Sequence, residues 1–268
     1  MRYQKFHPAK VLLPFVECYF IWEGEATESM QVQSPPNSYS SIVFNYADVY
    51  KASQHKDEPV VVPRAFVSGQ FTSNYTLWLH GKIGIAGIVL RPSGLYNFFG
   101  VRMSQLVNAR VSLSFLPGLP EDILWTAVKN QSSDDGRIKV LEELALSHVT
   151  VAKSNLTVID EAIDYIDACK GCISVEAVAS HLKISRRYLE KKFLEKVGVS
   201  PKFYSRIKRF GNLSNKIAHH EKIDWQEIVE EYGFHDQSHL VKEFMEFNRM
   251  NPTRYHLLHQ ELSRFVKQ

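Results

Sequence analysis

The chain has 268 residues, 44% of them hydrophobic, and a formal net charge of +3. That length supports two ordinary domains with separate cores, and apolar runs such as Ile83 to Leu90 fall short of the roughly 20 residues that cross a bilayer. The opening MRYQKFHPAK lacks the apolar region of a secretory signal, and three cysteines are too few for a disulfide framework, so the expectation is a cytoplasmic chain with no membrane partner.

In chain order, strand patterns come first. Phe15 to Trp22 is apolar and aromatic, Ser41 to Tyr46 is β-branched and aromatic, Ala65 to Val67 ends at Ser68-Gly69, and Tyr75 to His80 partly alternates before a break at Gly81-Lys82. Ile83 to Leu90 reads as a strand buried on both faces. The character then changes. Ser93 is placed to cap a short helix through Phe99, and helical patterns follow at Pro120 to Val128 and Arg137 to Leu146. Ser147 to Asn155 has weak periodicity and is expected to be a linker.

Beyond it lies a duplication. A helix from about Thr157 leads into Val175 to Leu182, a break at Lys183-Ile184, and a second helix from Ser185 with Leu189, Phe193 and Val197 as its buried stripe. Pro201 then opens a helix expected to reach His219, about 27 Å at 1.5 Å per residue. The second copy runs from Trp225 to Tyr232, breaks at Gly233-Phe234 and restarts at Asp236 with Leu240, Phe244 and Phe247 inward. Each unit is helix, turn, helix, an arrangement whose second helix fits a DNA major groove. Between Lys183 and Arg209 ten Lys or Arg stand against two Glu, a local balance of +8 that suits a surface meeting phosphates.

The strings ISRRYLEKKFLEKVGVSPKFY (Ile184 to Tyr204), YGFHDQSHLVKEF (Tyr232 to Phe244) and NPTRY (Asn251 to Tyr255) resemble the AraC/XylS family of bacterial transcription regulators, over about 156–259. The strings PFVECYF, SSIVFNY, FVSGQ and VLRPSGLYNFFG in the N-terminal half resemble the sensor or dimerisation regions attached to such modules. The fold class expected on these grounds is α+β. A mainly-β sensor or dimerisation domain with flanking helices would occupy residues 1–150, and an all-α, seven-helix double helix-turn-helix domain residues 156–268. Leu213 and Arg249 stand where members usually carry alanine and glycine.

The positions matching the family's base-contacting sites are Arg187, Glu190 and Lys191 on the first recognition helix, and Gln237, Ser238, His239 and Lys242 on the second. Arg186, Lys192, Lys196, Lys202, Arg206 and Lys208 are expected at phosphates. The resemblance implies promoter DNA and RNA polymerase as partners, activation as the regulatory sign, and a small-molecule effector or homodimer formation through the N-terminal half. Trp22, Phe44, Tyr46, Tyr75, Trp78 and His80 are offered as lining for an effector pocket, although aromatic residues on strands are more often core.

No phosphate loop, metalloprotease or nucleophile-elbow motif is present, so no catalytic residue, cofactor or metal is expected. Cys169-Lys-Gly-Cys172 ends a helix, with Gly171 suited to its C-cap, and reads as structural. Two rival readings remain open: an interaction adaptor whose module no longer binds DNA, and an effector-modifying enzyme domain fused to such a module.

Overall fold

The computed structural model describes residues 1–54, 57–220 and 222–257. The last part of the expected second domain, residues 258–268, lies outside the described residues. By packing, the chain forms two compact units. One holds Met1–Glu161 with Arg187–Ser200, and the other Ala162–Arg186 with the residues from Pro201 on.

The first unit is built on an eight-stranded sheet in which every pairing is antiparallel. Its strands are β1 (Arg2–Phe6), β2 (Val16–Ser34), β3 (Ser40–Asn45), β4 (Lys51–Gln54), β5 (Val60–Val61), β6 (Ala65–Ser68), β7 (Tyr75–Leu90) and β8 (Arg110–Ser112). The order is β1-β2-β7-β3-β6-β8, with β4 joining β7 to β5. The break expected at Gly81-Lys82 is absent: β7 passes through Gly81 in the left-handed region, φ +72, and pairs with β2 on both sides of it. A Cβ there would lie 2.3 Å from an Asp48 carboxylate oxygen. Gly81 instead marks where β7 changes its other neighbour, from β4 at Tyr75 to Trp78 to β3 at Ile85 to Leu90.

Side chains alternate across the sheet and feed two cores. Tyr19, Ile21, Ile42, Phe44, Val67, Ala86 and Ile88 share one apolar cluster with Leu95 and Phe98 of α1 (Gly94–Phe99), Val128 of α2 (Glu121–Lys129), and Leu141 and Leu144 of α3 (Asp134–Ser147). Val43, Tyr50, Phe66, Leu79, Ile83 and Ile85 form the other, with Phe20, Trp22 and Leu77 packed against it. Ile83 to Leu90 is thus buried on both faces, as its unbroken apolar run requires. The expected linker is partly helical: α4 (Val149–Ser154) occupies it, and Ala152 is fully buried in the first core.

The remaining helices are α5 (Val158–Ala168), α6 (Val175–His181), α7 (Arg186–Val197), α8 (Pro201–His219), α9 (Trp225–Glu231) and α10 (Gln237–Asn248), with helical residues at 252–257. An α+β class follows. In the second unit, Ile207, Phe210, Leu213 and Ile217 of α8 share a core with Ile228 and Val229 of α9, Tyr232, Phe234, and Leu240, Phe244 and Phe247 of α10. Leu213 is 1% exposed, so its larger side chain fills this core. At roughly 1.5–3 kcal/mol per fully buried large apolar side chain, this cluster is the main source of cohesion for the second helix-turn-helix.

Gly171 is required twice over. Its φ is +77, and a Cβ would lie 2.2 Å from the Ser205 carbonyl oxygen of α8. Its N–H donates to the Ile166 carbonyl at 2.9 Å, closing the end of α5. Cys169 and Cys172 are free thiols, and Cys172 Sγ donates to the Tyr232 carbonyl at 3.7 Å.

Candidate nucleic-acid interface

The two breaks have the same backbone construction. After α6, Lys183 takes a left-handed φ of 54 and Ile184 N–H donates to the Ala179 carbonyl at 3.1 Å. After α9, Gly233 takes φ 64 and Phe234 N–H donates to the Val229 carbonyl at 2.9 Å. Each turn buries an apolar residue one position past the left-handed one: Phe234 is 7% exposed and Ile184 half-buried. The helix before each break is capped alike. Ser174 accepts from Ala177 N–H at 3.1 Å, and Asp224 accepts from Gln226 and Glu227 N–H at 2.9 and 3.2 Å.

Both following helices, α7 and α10, have 12 residues. Asp236 caps α10, accepting from His239 N–H at 2.7 Å, and that bond with the His235 ring holds its carboxyl below the usual range. Leu189, Phe193 and Val197 of α7 and Leu240, Phe244 and Phe247 of α10 are buried, as the periodicity requires. The residues matching base-contacting positions lie on the complementary faces: Arg187 and Lys191 are exposed and Glu190 half-buried on α7, and Gln237, Ser238, His239 and Lys242 are exposed on α10.

The cations expected at phosphates divide sharply. Lys202 is exposed and carries no ion pair among the described residues. Arg186 pairs with Glu176, and Lys192 with Glu195 at 2.9 Å. Arg206 and Arg209 both grip Glu243, itself 5% exposed, at 2.9 and 2.7 Å, and Arg206 also holds Glu246. Lys208 pairs with Asp167 at 3.1 Å.

Lys196 requires a correction. It is 2% exposed, and its ammonium donates to Asp160 Oδ2 at 2.7 Å, the Asn155 carbonyl at 2.8 Å and Thr157 Oγ1 at 3.1 Å, so it faces inward rather than toward a phosphate. Ser93 departs from expectation for the same reason: its hydroxyl caps nothing and donates to Asp160 Oδ1 at 2.6 Å, where Asn97 also donates at 2.9 Å. Burial opposes the charge on Asp160, but the bonds from Lys196, Ser93 and Asn97 outweigh it and hold the carboxyl below its ordinary range. Tyr96 donates to Glu195 at 3.2 Å, and Gly198, φ +92, lets the end of α7 approach Met103, whose carbonyl oxygen would lie 2.8 Å from a Cβ. The C-terminal half of α7 is thereby fastened within the first unit. The helical spacing carried a signal for this, since Lys196 lies three residues beyond Phe193 on the buried stripe.

The first unit also contains a cavity of about 700 Å³ on the Val43 face of the sheet. Trp22 and Tyr75 line it as expected, beside Phe20, Tyr50, Phe66, Phe71 and Arg110, which were not expected there. The other four expected residues do not line it. Phe44 belongs to the opposite core, Tyr46 donates to Glu23 at 2.8 Å, Trp78 donates through Nε1 to Ser53 at 2.9 Å, and His80 is exposed. Odd and even positions of one strand face opposite sides, so a one-residue difference in register decides which aromatic meets the cavity. Among the described residues no helix is long and apolar enough to cross a membrane.

Comparison with known proteins yields two matched regions. Residues 4–112 match a domain of unknown function (DUF6597), and residues 178–257 match a helix-turn-helix domain. No curated protein matches the chain. Among solved structures, ToxT from Vibrio cholerae is 13% identical, with 89% of this chain and 97% of that one covered and a TM-score of 0.46. ToxT bound to (E)-4-(8-methylnaphthalen-1-yl)but-3-enoic acid is 12% identical, covering 97% of this chain and 100% of that one at a TM-score of 0.47. The AraC-like transcriptional activator CuxR is 11% identical, with coverage of 79% and 94% and a TM-score of 0.30. Both breaks, at Lys183-Ile184 and Gly233-Phe234, fall within the matched region, so residues 178–257 carry a helix-turn-helix domain.

Proposed function

We propose that this chain is a DNA-binding transcription regulator of the AraC family that reads a bipartite promoter site by placing α7 and α10 in successive major grooves, and that its N-terminal region, residues 1–150, responds to a small-molecule effector. Residues 156–268 would then form the DNA-binding domain. The observation that supports this reading best is the repeated turn geometry, each copy followed by a 12-residue helix with its polar face exposed near the N-terminal end. Arg187 and Lys191 suit guanine, Glu190 suits cytosine or orients a neighbouring Arg, and Gln237 suits adenine. Ser238 and His239 add adaptable contacts, and Lys242 meets guanine or phosphate. The cavity in the N-terminal region supports an effector. Activation, with RNA polymerase as partner, and a homodimer complete the reading.

The test is selection from random duplex DNA with the full chain, followed by Arg187→Ala. Two enriched blocks one helical turn apart, about 10–10.5 bp, are expected, and Arg187→Ala should cost about 1–3 kcal/mol concentrated at one base pair. A single enriched block would remove α10 from base reading. Equal loss on every sequence would remove Arg187.

A further inference from the structure

The lining of the first unit's cavity mixes aromatic and aliphatic side chains with polar ones, among them Gln33, Asn37 and Ser40. Its charged lining residues are Lys5, Glu17 and Arg110; Lys5 and Glu17 are exposed at the rim, whereas Arg110 is half-buried. The Arg110 guanidinium sits 4.2 Å from the centroid of the Phe71 ring and 4.2 Å from that of Tyr75, so two aromatic rings hold it. Among the described residues no carboxylate pairs with it and no acceptor bonds to its N–H groups. This contrasts with Arg206 and Arg209, each fixed on Glu243.

A guanidinium carries five N–H donors in a planar fork that matches a carboxylate. Aromatic contacts position the cation of Arg110 without using that fork, so an occupant supplying two acceptor oxygens gains a charge-assisted, bidentate contact. A volume of about 700 Å³ walled by Phe20, Trp22, Tyr50 and Phe66 suits an apolar body of drug-like size. We propose that the cavity binds an apolar monocarboxylic acid, its carboxylate on Arg110 and its body along Phe20, Trp22 and Phe66. This deepens the effector reading above and rests on it for its regulatory meaning, though not for the binding itself.

The test is titration calorimetry on the full chain without DNA, using 4-phenylbutyrate and decanoate beside their primary amides. At least one acid should bind at least tenfold more tightly than its amide. Arg110→Gln should bring that acid to the level of its amide, and Trp22→Ala should weaken acid and amide alike while leaving their ratio intact. Equal affinity of acid and amide on the native chain overturns the proposal whether or not Arg110→Gln folds. Retention of the preference by a folded Arg110→Gln overturns it too, as does the absence of binding by all four compounds at millimolar concentration. Selection of DNA by the same preparation is read separately, so acid binding without DNA enrichment would sink the regulator reading alone, and the converse outcome this proposal alone.

Discussion

Replacing Lys196 by Met should destabilise the first unit by about 3 kcal/mol, a loss far larger than a surface lysine produces. The reasoning starts from its 2% exposure and its three bonds, to Asp160, Thr157 and the Asn155 carbonyl. Removing one partner of a buried ion pair costs roughly 3–5 kcal/mol, because the other charge stays desolvated without compensation. Here the lower end applies: the Asp160 side chain keeps 15% exposure and retains donors in Ser93, Asn97 and the Thr157 N–H. Removing both charges together, as Asp160→Asn with Lys196→Met, should cost less than the sum of the single changes by about 0.5–3 kcal/mol.

Urea unfolding followed by tryptophan fluorescence measures this, and with a slope near 2 kcal/mol/M the midpoint should fall by roughly 1.5 M. The pH dependence supplies an independent check. Because the folded carboxyl of Asp160 is held below its unfolded value, its contribution is complete at neutral pH, begins to fade below about pH 4–5, and is lost as pH falls through the folded value. Lys196→Met removes one of the bonds that lower it, so the variant should lose less stability than the native chain between pH 5 and 3. A change under 1 kcal/mol, additivity in the double variant, and an unaltered acid limb would together refute the buried-pair account.

Two smaller effects concern the backbone. Lys183 sits in the left-handed region at φ 54 where the second copy has Gly233, so Lys183→Gly should stabilise by about 0.5–1 kcal/mol, visible as a rise in thermal midpoint. Gly211 lies exposed in the interior of the 19-residue α8 with open space where a Cβ would be, so Gly211→Ala should stabilise by about 1 kcal/mol in the same assay.

What the sequence made readable was whatever depended on local pattern. α8 begins at Pro201 and ends at His219 as its apolar spacing and first-turn proline indicate, and the helical pattern restarts at Asp236, the residue before α10, as expected. What it concealed depended on partners distant in sequence. β1 is almost wholly exposed and polar, RYQKF, and is a strand only because β2 supplies its hydrogen bonds from Tyr19 to Glu23. α4 buries Ala152 without a periodic stripe, so composition pointed to a linker. The cavity lining escaped because strand parity separates Val43 from Phe44 and Phe66 from Val67, assigning one of each pair to each core.

The same distinction changes what the basic stretch should do on DNA. Of the ten cations from Lys183 to Arg209, Arg186, Lys192, Lys196, Arg206, Lys208 and Arg209 face carboxylates, which leaves Lys183, Arg187, Lys191 and Lys202 with no ion pair among the described residues. Each phosphate neutralised contributes about −0.9 to the slope of log affinity against log salt. Ten contacts would give a contribution near −9; the four cations give about −4. Binding isotherms across 50–200 mM salt distinguish these values, and Lys202→Ala should reduce the slope by about 1 while weakening all sequences alike. A slope near −9 would mean that the ion pairs on Asp160, Asp167, Glu176, Glu195 and Glu243 all open when DNA arrives, making them competitors for the same cations rather than fixed parts of the fold. A slope near −4 would mean that these carboxylates hold the helices in place and that affinity must come from base contacts made by few, well-positioned side chains.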